Sequence, residues 1–410
     1  MRNLFKASCL AVAVMAPAVF AQGYGGPQGS GGVPNTDKTA DVNYVGDGKA
    51  YHTLDIYIPK EAKESYPVVI HTYGSGWSMN NMKGSADLST ICAAYAKAGY
   101  AVVTPNHRSA SDAIYPAQLH DIKAVVRFVR GNAAKYKFDT TFIAVSGFSS
   151  GGHLSSLTAT TCGLKEGKSG SVTVDLVGDL GEFTSFSSCV DGAVLWSPPT
   201  DIYTMNPISM GGSGTMEGVF IGVEREGNKD KWMVASSPYY ASEDDPPTIM
   251  FHGTSDQIVN IEQSQELYDS LKNHNVVTEF VKVSGGMHGG DVMYASENLN
   301  KAVEFLNAAL EAKTAVVVPP DTGKQDTAVV DSSKADTLTN DSLPKDTNIV
   351  AIPVLRMPAQ QTVSYSVYSL DGTLVSRSSV LDKKALRPGI YYVVAKTAAG
   401  ERNIFRFVKR

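Results

Sequence analysis

The sequence lacks a cluster of basic residues, and it lacks an apolar run long enough to cross a membrane. Its net charge of −5 argues against a nucleic-acid-binding surface. Its most apolar stretch, from Leu10 to Phe20, is too short for a bilayer. The remaining composition, 43% hydrophobic and 19% charged over 410 residues, fits one large globular domain and a smaller one.

The N-terminal residues have the pattern of a secretory signal peptide. Arg2 and Lys6 precede the apolar stretch, and Ala21 ends a segment with residues accepted at a cleavage site. We therefore expect residues 1–21 to be removed and the mature protein to be secreted, free in the medium or held at the cell surface. Residues 22–39 are Gly-rich and indicate a flexible leader.

The cysteines divide into three groups. Cys9 leaves with the signal peptide, and Cys92 lies in an apolar helical pattern typical of a buried free thiol. Cys162 and Cys189 bracket a polar, Gly-rich excursion, and an exported protein permits a disulfide there. The sequence leaves open whether these two lie close together.

Strand and helix patterns alternate between residues 40 and 312. The predicted strands are Thr53–Ile58, Val68–Thr72, Ala101–Thr104, Phe142–Val145, Ala193–Trp196, Thr248–Phe251 and Thr278–Val283. The predicted helices are Ala86–Ala98, Ala117–Lys135, His153–Thr160, Glu262–Asn273 and Asp291–Ala312. Apolar strands separated by helices predict an α/β domain whose mostly parallel sheet is covered on both faces.

The last hundred residues change character twice. Residues 313–350 repeat Asp-Thr and have no structural period, which indicates a linker. Residues 351–410 recover an alternating pattern around Asp371-Gly372, which predicts a small antiparallel β domain of sandwich type. No cluster of catalytic residue types occurs in it, so attachment or sorting is the expected role.

The sequence Gly147-Phe148-Ser149-Ser150-Gly151 is the strongest functional signal. A G-x-S-x-G pattern alone arises easily by chance in a chain rich in Gly and Ser. Here it follows a predicted strand and precedes a predicted helix, the setting of a nucleophile elbow. Ser149 is therefore the candidate nucleophile of a serine hydrolase.

A serine nucleophile needs a base and an acid that orients the base. His288 follows the last predicted strand on a Gly-rich loop and is the candidate base. Asp256 lies just past the preceding strand, at the sheet edge where catalytic groups of α/β proteins collect, and is the candidate acid. Asp201 follows an earlier strand and is the competing acid, or else a turn residue. The chain order Ser, Asp, His is the one found in α/β-hydrolases.

The other histidines fit strand, helix or turn patterns, which favours structural roles. They are His52, His71, His107, His120, His153 and His274. His252 ends the strand before Asp256, so we expect it to pack near the site without acting in it.

The loop Tyr73-Gly74-Ser75-Gly76-Trp77 follows a predicted strand and has small residues. Its backbone N–H groups could reach a developing oxyanion, and one such donor contributes roughly 100- to 1,000-fold in rate. The alternative is a simple Gly-rich turn.

Together these motifs resemble the carboxylesterase branch of the α/β-hydrolases, in particular the group with acetyl-xylan and feruloyl esterases. The segments that carry the resemblance lie between residues 40 and 312. They are Thr53–Pro59, Tyr73–Trp77, Tyr115–Asp121, Gly147–Leu154, Gly178–Glu182, Trp196–Asp201, Pro246–Gly253 and His288-Gly289. The resemblance implies hydrolysis of acetyl or feruloyl esters on plant polysaccharide, without a metal or organic cofactor.

It also implies that the N–H groups of Ser75, Gly76 and Ser150 form the oxyanion hole. The chain departs from the family's His-Gly-Gly-Gly-Trp loop at Tyr73 and Ser75, which leaves the register of these donors open by one residue. Ser150 stands where Ala is common.

The C-terminal domain resembles the sorting domains of type IX secretion through Pro388–Tyr392 and the basic end Val408–Arg410. This implies contact with a secretion machinery and export across an outer membrane.

We expect a secreted serine esterase acting on a polysaccharide or small ester. Two rivals remain at this point, a serine peptidase of the same fold and a surface binding module without activity. The segment from Tyr203 to Tyr240 fits either a cap over the site or a part of the core.

Overall fold

A computed structural model describes residues 32–84, 87–210 and 214–315, and four C-terminal strands at 362–369, 374–378, 389–397 and 402–409. The predicted signal peptide, residues 22–31 of the leader, residues 316–361 and the Asp371-Gly372 turn lie outside these ranges. The chain divides into two compact units between Glu311 and Ala312.

The first unit contains an eight-stranded sheet, counted over the described residues, in the order β1-β2-β4-β3-β5-β8-β9-β10. These strands are β1 (Thr36–Asn43), β2 (Thr53–Pro59), β3 (Tyr66–Thr72), β4 (Ala101–Pro105), β5 (Phe138–Phe148), β8 (Gly192–Trp196), β9 (Thr248–Gly253) and β10 (Thr278–Val283). β1 and β2 run antiparallel to their neighbours, and the others pair in parallel. A hairpin of β6 (Glu166–Ser169) and β7 (Val172–Asp175) lies apart.

The helices connect these strands. They are α1 (Ile91–Lys97), α2 (Ala117–Gly131), α3 (Ala133–Tyr136), α4 (Ser150–Thr160), α5 (Met216–Ile221), α6 (Lys229–Met233), α7 (Glu262–Asn273) and α8 (Ser296–Ala315). Short 3-10 helices span Ala50–His52 and Ser237–Tyr240. Within the described part of the chain, no helix is both long and apolar enough to cross a membrane.

The central strands are buried on both faces, which explains their near-continuous apolar sequences. Val68 and Ile70 of β3 pack toward α2 and α7, whereas Val69 between them packs toward α1 and α8. Alternate side chains along one strand therefore pack into two separate cores, one on each side of the sheet. The predicted α/β fold with a mostly parallel sheet is confirmed.

A third core lies beside the carboxyl end of the sheet. Trp77, from the loop after β3, stacks on Phe220 of α5 with ring centroids 4.6 Å apart. Trp232 is also fully buried there, and Met210 is partly buried against the same core. The segment 203–240 thus contributes core residues next to the site.

Several boundaries differ from the sequence prediction, among them the start of β5, which begins at Phe138 rather than Phe142. β1 begins at Thr36, so the expected domain start at residue 40 falls inside a strand. Its residues are polar and largely exposed, so they show no apolar strand pattern. Backbone pairing with β2, at the edge of the sheet, makes this segment a strand. Helices α1 and α8 begin at Ile91 and Ser296, later than predicted, and the helix predicted over 117–135 is interrupted at Asn132.

The second unit contains a four-stranded antiparallel sheet in its described residues. Its strands are β11 (Thr362–Ser369), β12 (Leu374–Ser378), β13 (Gly389–Thr397) and β14 (Arg402–Lys409), in the order β12-β11-β13-β14.

Candidate active site

Ser149 lies at the tight turn between β5 and α4. Its backbone has φ +52° and ψ −123°, a conformation that non-glycine residues rarely adopt. Two backbone hydrogen bonds hold it there: the Ser149 N–H donates to the Trp196 carbonyl, and the His153 N–H donates to the Ser149 carbonyl. The turn therefore presents the serine side chain at the carboxyl edge of the sheet, as predicted for a nucleophile elbow.

The glycines of the elbow are required by close backbone packing. A Cβ atom on Gly151 would lie 2.1 Å from the Thr72 carbonyl oxygen, and one on Gly147 would lie 2.2 Å from the Gly151 carbonyl oxygen. Both distances are far below a van der Waals contact. β5, α4 and the end of β3 can therefore meet only where side chains are absent.

The structure brings Ser149, His288 and Asp256 into one hydrogen-bonded chain. The distance from Ser149 Oγ to His288 Nε2 is 2.8 Å, and that from His288 Nδ1 to Asp256 Oδ2 is also 2.8 Å. Asp256 follows β9 and His288 follows β10, so neighbouring parallel strands deliver both groups to the same sheet edge. All three side chains are buried or nearly so.

The hydrogen bonds around Asp256 fix the proton positions. Its Oδ1 accepts from the N–H groups of Ile258 and Val259, and its Oδ2 faces His288 Nδ1. Burial raises the pKa of Asp256, but hydrogen bonds from His252 and His288 outweigh it and hold the pKa well below its usual range. The acid is thus an ionised acceptor, so His288 Nδ1 carries a proton and Nε2 is free to accept the Ser149 hydroxyl proton.

His252 packs beside the acid, as expected from its place at the end of β9. Its Nε2 donates to the Val259 carbonyl at 2.9 Å and lies 3.4 Å from Asp256 Oδ2, while its Nδ1 is 2.8 Å from Ser264 Oγ. The side chain is fully buried. His252 and His288 therefore approach the same carboxylate oxygen of Asp256.

The competing acid, Asp201, has a different role. Its Oδ1 accepts from the N–H groups of Tyr203 and Thr204 and from the Ser236 hydroxyl. These bonds close a turn after β8, and His288 is not among its partners. Asp201 is a turn residue in the structure.

The candidate oxyanion loop, Tyr73–Trp77, packs directly against the nucleophile. A Cβ atom on Gly74 would lie 2.8 Å from Ser149 Cβ, so the backbone of the loop contacts the elbow directly. The Ser75 N–H donates to Ser150 Oγ at 2.8 Å. This differs from the direct contact with the oxyanion that the resemblance implies for Ser75. The N–H groups of Gly76 and Ser150 have no acceptor within the described residues.

Other histidines near the elbow serve the fold. His153 accepts a hydrogen bond from Trp77 Nε1 at Nδ1 and donates from Nε2 to the Ala235 carbonyl. Complete burial lowers its pKa to about 4, so it is neutral. His71 bridges the buried Ser146 Oγ and the partly buried Asp87 carboxylate, a second Ser-His-Asp group.

Cys162 and Cys189 form a disulfide, which joins the two ends of the excursion that carries the β6–β7 hairpin. Cys92 is a free, buried thiol, and burial raises its pKa well above the ordinary value.

The sequence did not predict the hydrogen bond that the Ser150 hydroxyl accepts from the loop. Its only signal was a serine at a position where Ala is common. The packing of His252 beside Asp256 agrees with the expectation from its place at a strand end.

Comparison with known proteins places this geometry in a family. The sequence model of the BD-FAE family matches residues 54–271, more than half of the chain. The chain belongs to the BD-FAE family. A solved structure described as a truncated carbohydrate esterase from gut microbiota is 39% identical, covers 68% of this chain and 99% of its own, and superimposes with a TM-score of 0.65.

Two further relatives extend the comparison. A bifunctional GH43-CE protein of Bacteroides eggerthii is 41% identical, with 66% of this chain and 35% of that one covered and a TM-score of 0.63. The probable carboxylic ester hydrolase LipM of Mycobacterium tuberculosis is 26% identical over 68% of this chain and 59% of its own. The chain spans about three fifths of the length of that relative. The fold is that of the α/β-hydrolases.

Proposed function

We propose that this member of the BD-FAE family is a secreted serine carboxylic-ester hydrolase that acts on acetyl or feruloyl esters of plant polysaccharide such as xylan. The observation that carries the reaction class is the unbroken chain of hydrogen bonds from Ser149 through His288 to Asp256. The esterase names of the relatives support the same class.

The geometry accounts for the first half of such a reaction. Ser149 Oγ attacks the ester carbonyl carbon while its proton passes to His288 Nε2, and the carbonyl electron pair moves onto oxygen. Asp256 stabilises the imidazolium that results. When the tetrahedral intermediate collapses, the bond to the alcohol oxygen breaks and His288 returns the proton to that oxygen. The alcohol leaves, and the acyl group remains on Ser149.

In the second half of the reaction, water takes the place of Ser149 as the attacking group. His288 takes a proton from water as the water oxygen attacks the acyl carbon, and the second tetrahedral intermediate expels Ser149 Oγ. The proton returns to Ser149, and the carboxylic acid departs. No group besides the side chains and backbone described above is needed for either half.

The relative described as a carbohydrate esterase supports a carbohydrate ester as the substrate. The acetyl or feruloyl group and xylan come from the sequence resemblance to acetyl-xylan and feruloyl esterases. Export of the protein would bring it to polysaccharide outside the cell. We infer this export from the predicted signal peptide at residues 1–21 and from the resemblance of residues 351–410 to a sorting domain. A secretion machinery is therefore the proposed partner of the C-terminal domain.

The assignment is tested by comparing substrates. The wild-type protein and the Ser149→Ala variant are assayed on acetylated xylan, methyl ferulate, p-nitrophenyl acetate and a proline-containing peptide. The proposal expects release of acetate or ferulate by the wild type and none by the variant, with matching circular dichroism spectra. Cleavage of the peptide in preference to the esters would favour a peptidase. Binding of xylan without turnover of any ester would favour a binding module.

A further inference from the structure

Two serine side chains meet where the oxyanion loop touches the elbow. Ser150 Oγ lies 2.8 Å from the backbone nitrogen of Ser75 and accepts its proton. The two residues are 1% and 3% exposed, so solvent does not compete for these groups. The N–H that the family resemblance assigns to the oxyanion therefore has a hydroxyl oxygen as its partner.

The position of this hydroxyl follows from its two attachments. Ser150 directly follows the nucleophile, and its own N–H stands at the first turn of α4. Its Oγ atom is hydrogen-bonded to the loop whose residue Gly74 contacts Ser149. Ser150 Oγ therefore links the elbow to the loop, the two segments whose N–H groups form the oxyanion hole in α/β-hydrolases.

The hydroxyl retains a proton to donate. Accepting from Ser75 uses a lone pair of Ser150 Oγ, and within the described residues the O–H has no acceptor. The neighbouring Ser75 Oγ is buried and has no hydrogen-bond partner among the residues that the structure describes. Buried hydroxyls are normally hydrogen-bonded, because desolvation without a partner costs free energy. A negatively charged oxygen in this gap would satisfy the Ser150 donor.

We propose that the side chain of Ser150, and not only its backbone N–H, is a catalytic group whose hydroxyl donates a hydrogen bond to the oxyanion. The Ser75 N–H then acts through it, since it polarises the hydroxyl toward stronger donation. The Ser150 proton stays on its oxygen throughout, so the steps of acyl transfer are unchanged. This inference rests on the proposed esterase function. The competing arrangement is a hydroxyl that rotates away and lets the Ser75 N–H reach the oxyanion directly.

The Ser150→Ala variant separates the two arrangements. If the hydroxyl is the donor, kcat on p-nitrophenyl acetate falls by roughly 100- to 1,000-fold with KM nearly unchanged, because the lost interaction exists only in the transition state. The affinity for a trifluoromethyl ketone, which forms a tetrahedral adduct, falls by a similar factor. Ser150→Thr, which keeps the hydroxyl, retains more activity than Ser150→Ala.

A kcat for Ser150→Ala equal to or above the wild-type value would overturn the inference, because the hydroxyl would then be neutral or obstructive. Thr158→Val is the matched control. It removes a buried hydroxyl of the same helix that donates to the Leu154 carbonyl, away from Ser149, and should leave kcat unchanged. Melting temperatures exclude misfolding as the cause of a loss. Failure of the underlying function would look different, since the wild type itself would then turn over no ester.

Discussion

Replacing Asp256 with Asn changes one atom of the side chain and should nearly stop the reaction. In the wild type, Oδ1 accepts two backbone N–H groups and Oδ2 accepts the Nδ1 proton of His288. An Asn carbonyl oxygen can keep the backbone contacts, which turns its NH2 group toward His288. Nδ1 must then accept a hydrogen bond, so the imidazole proton moves to Nε2.

This tautomer removes the base that Ser149 needs. With a proton on Nε2, His288 can no longer take the Ser149 hydroxyl proton, which is 2.8 Å away in the native arrangement. Reversing the tautomer in a Ser-His-Asp triad lowers kcat by about 10,000-fold. That factor corresponds to about 5 kcal/mol of activation free energy. We expect a loss of this order for Asp256→Asn, with the fold preserved.

The assay is steady-state hydrolysis of p-nitrophenyl acetate, with Asp201→Asn as the matched control. Asp201 also follows a strand, but its Oδ1 accepts from a turn, and an Asn carbonyl oxygen can accept the same bonds. Asp201→Asn should therefore remain within about 3-fold of the wild-type kcat. A near-normal rate for Asp256→Asn, or the large loss appearing in Asp201→Asn instead, would refute the assignment of the acid.

Two further predictions concern stability. Burial raises the pKa of Glu217 from 4.5 to about 7, so the folded state binds its proton more tightly and stability falls as pH rises between these values. Glu217→Gln removes this dependence. Urea titrations at several pH values should show the free energy of unfolding of the wild type falling by up to about 3 kcal/mol relative to that of the variant as the pH rises. Parallel plots of unfolding free energy against pH for the two proteins would contradict the burial argument. The double variant Cys162→Ser, Cys189→Ser removes the disulfide between two cysteines that are 27 residues apart in the sequence, and it should lower the free energy of unfolding by roughly 3–4 kcal/mol. An unchanged urea midpoint would show that the disulfide does not stabilise the fold.

The central fold was predictable because its signals are local. Apolar runs such as Val68–Thr72 and Thr248–Phe251 coincide closely with strands, since a doubly covered sheet leaves little ambiguity in the pattern. β1 was not predictable in the same way. Its residues are polar and exposed, and pairing with β2 rather than side-chain burial defines it as a strand.

The site was predictable to the level of residue types and chain order. Strand ends place Ser149, Asp256 and His288 at one edge, so their order along the sequence carries the geometry. The hydrogen bonds around the candidate oxyanion hole were harder to predict, because they depend on the rotamer of Ser150 and on the close approach of the loop at Gly74. Neither leaves a signature in spacing or hydrophobic pattern.

The central claim is that Ser149 is the nucleophile, and covalent labelling tests it most directly. The wild type is incubated with a fluorophosphonate, and its peptides are sequenced by mass spectrometry. The account predicts a phosphonyl adduct on Ser149, loss of esterase activity in step with labelling, and no adduct in Ser149→Ala. An adduct on another serine, or ester turnover by the unlabelled Ser149→Ala variant, would contradict it.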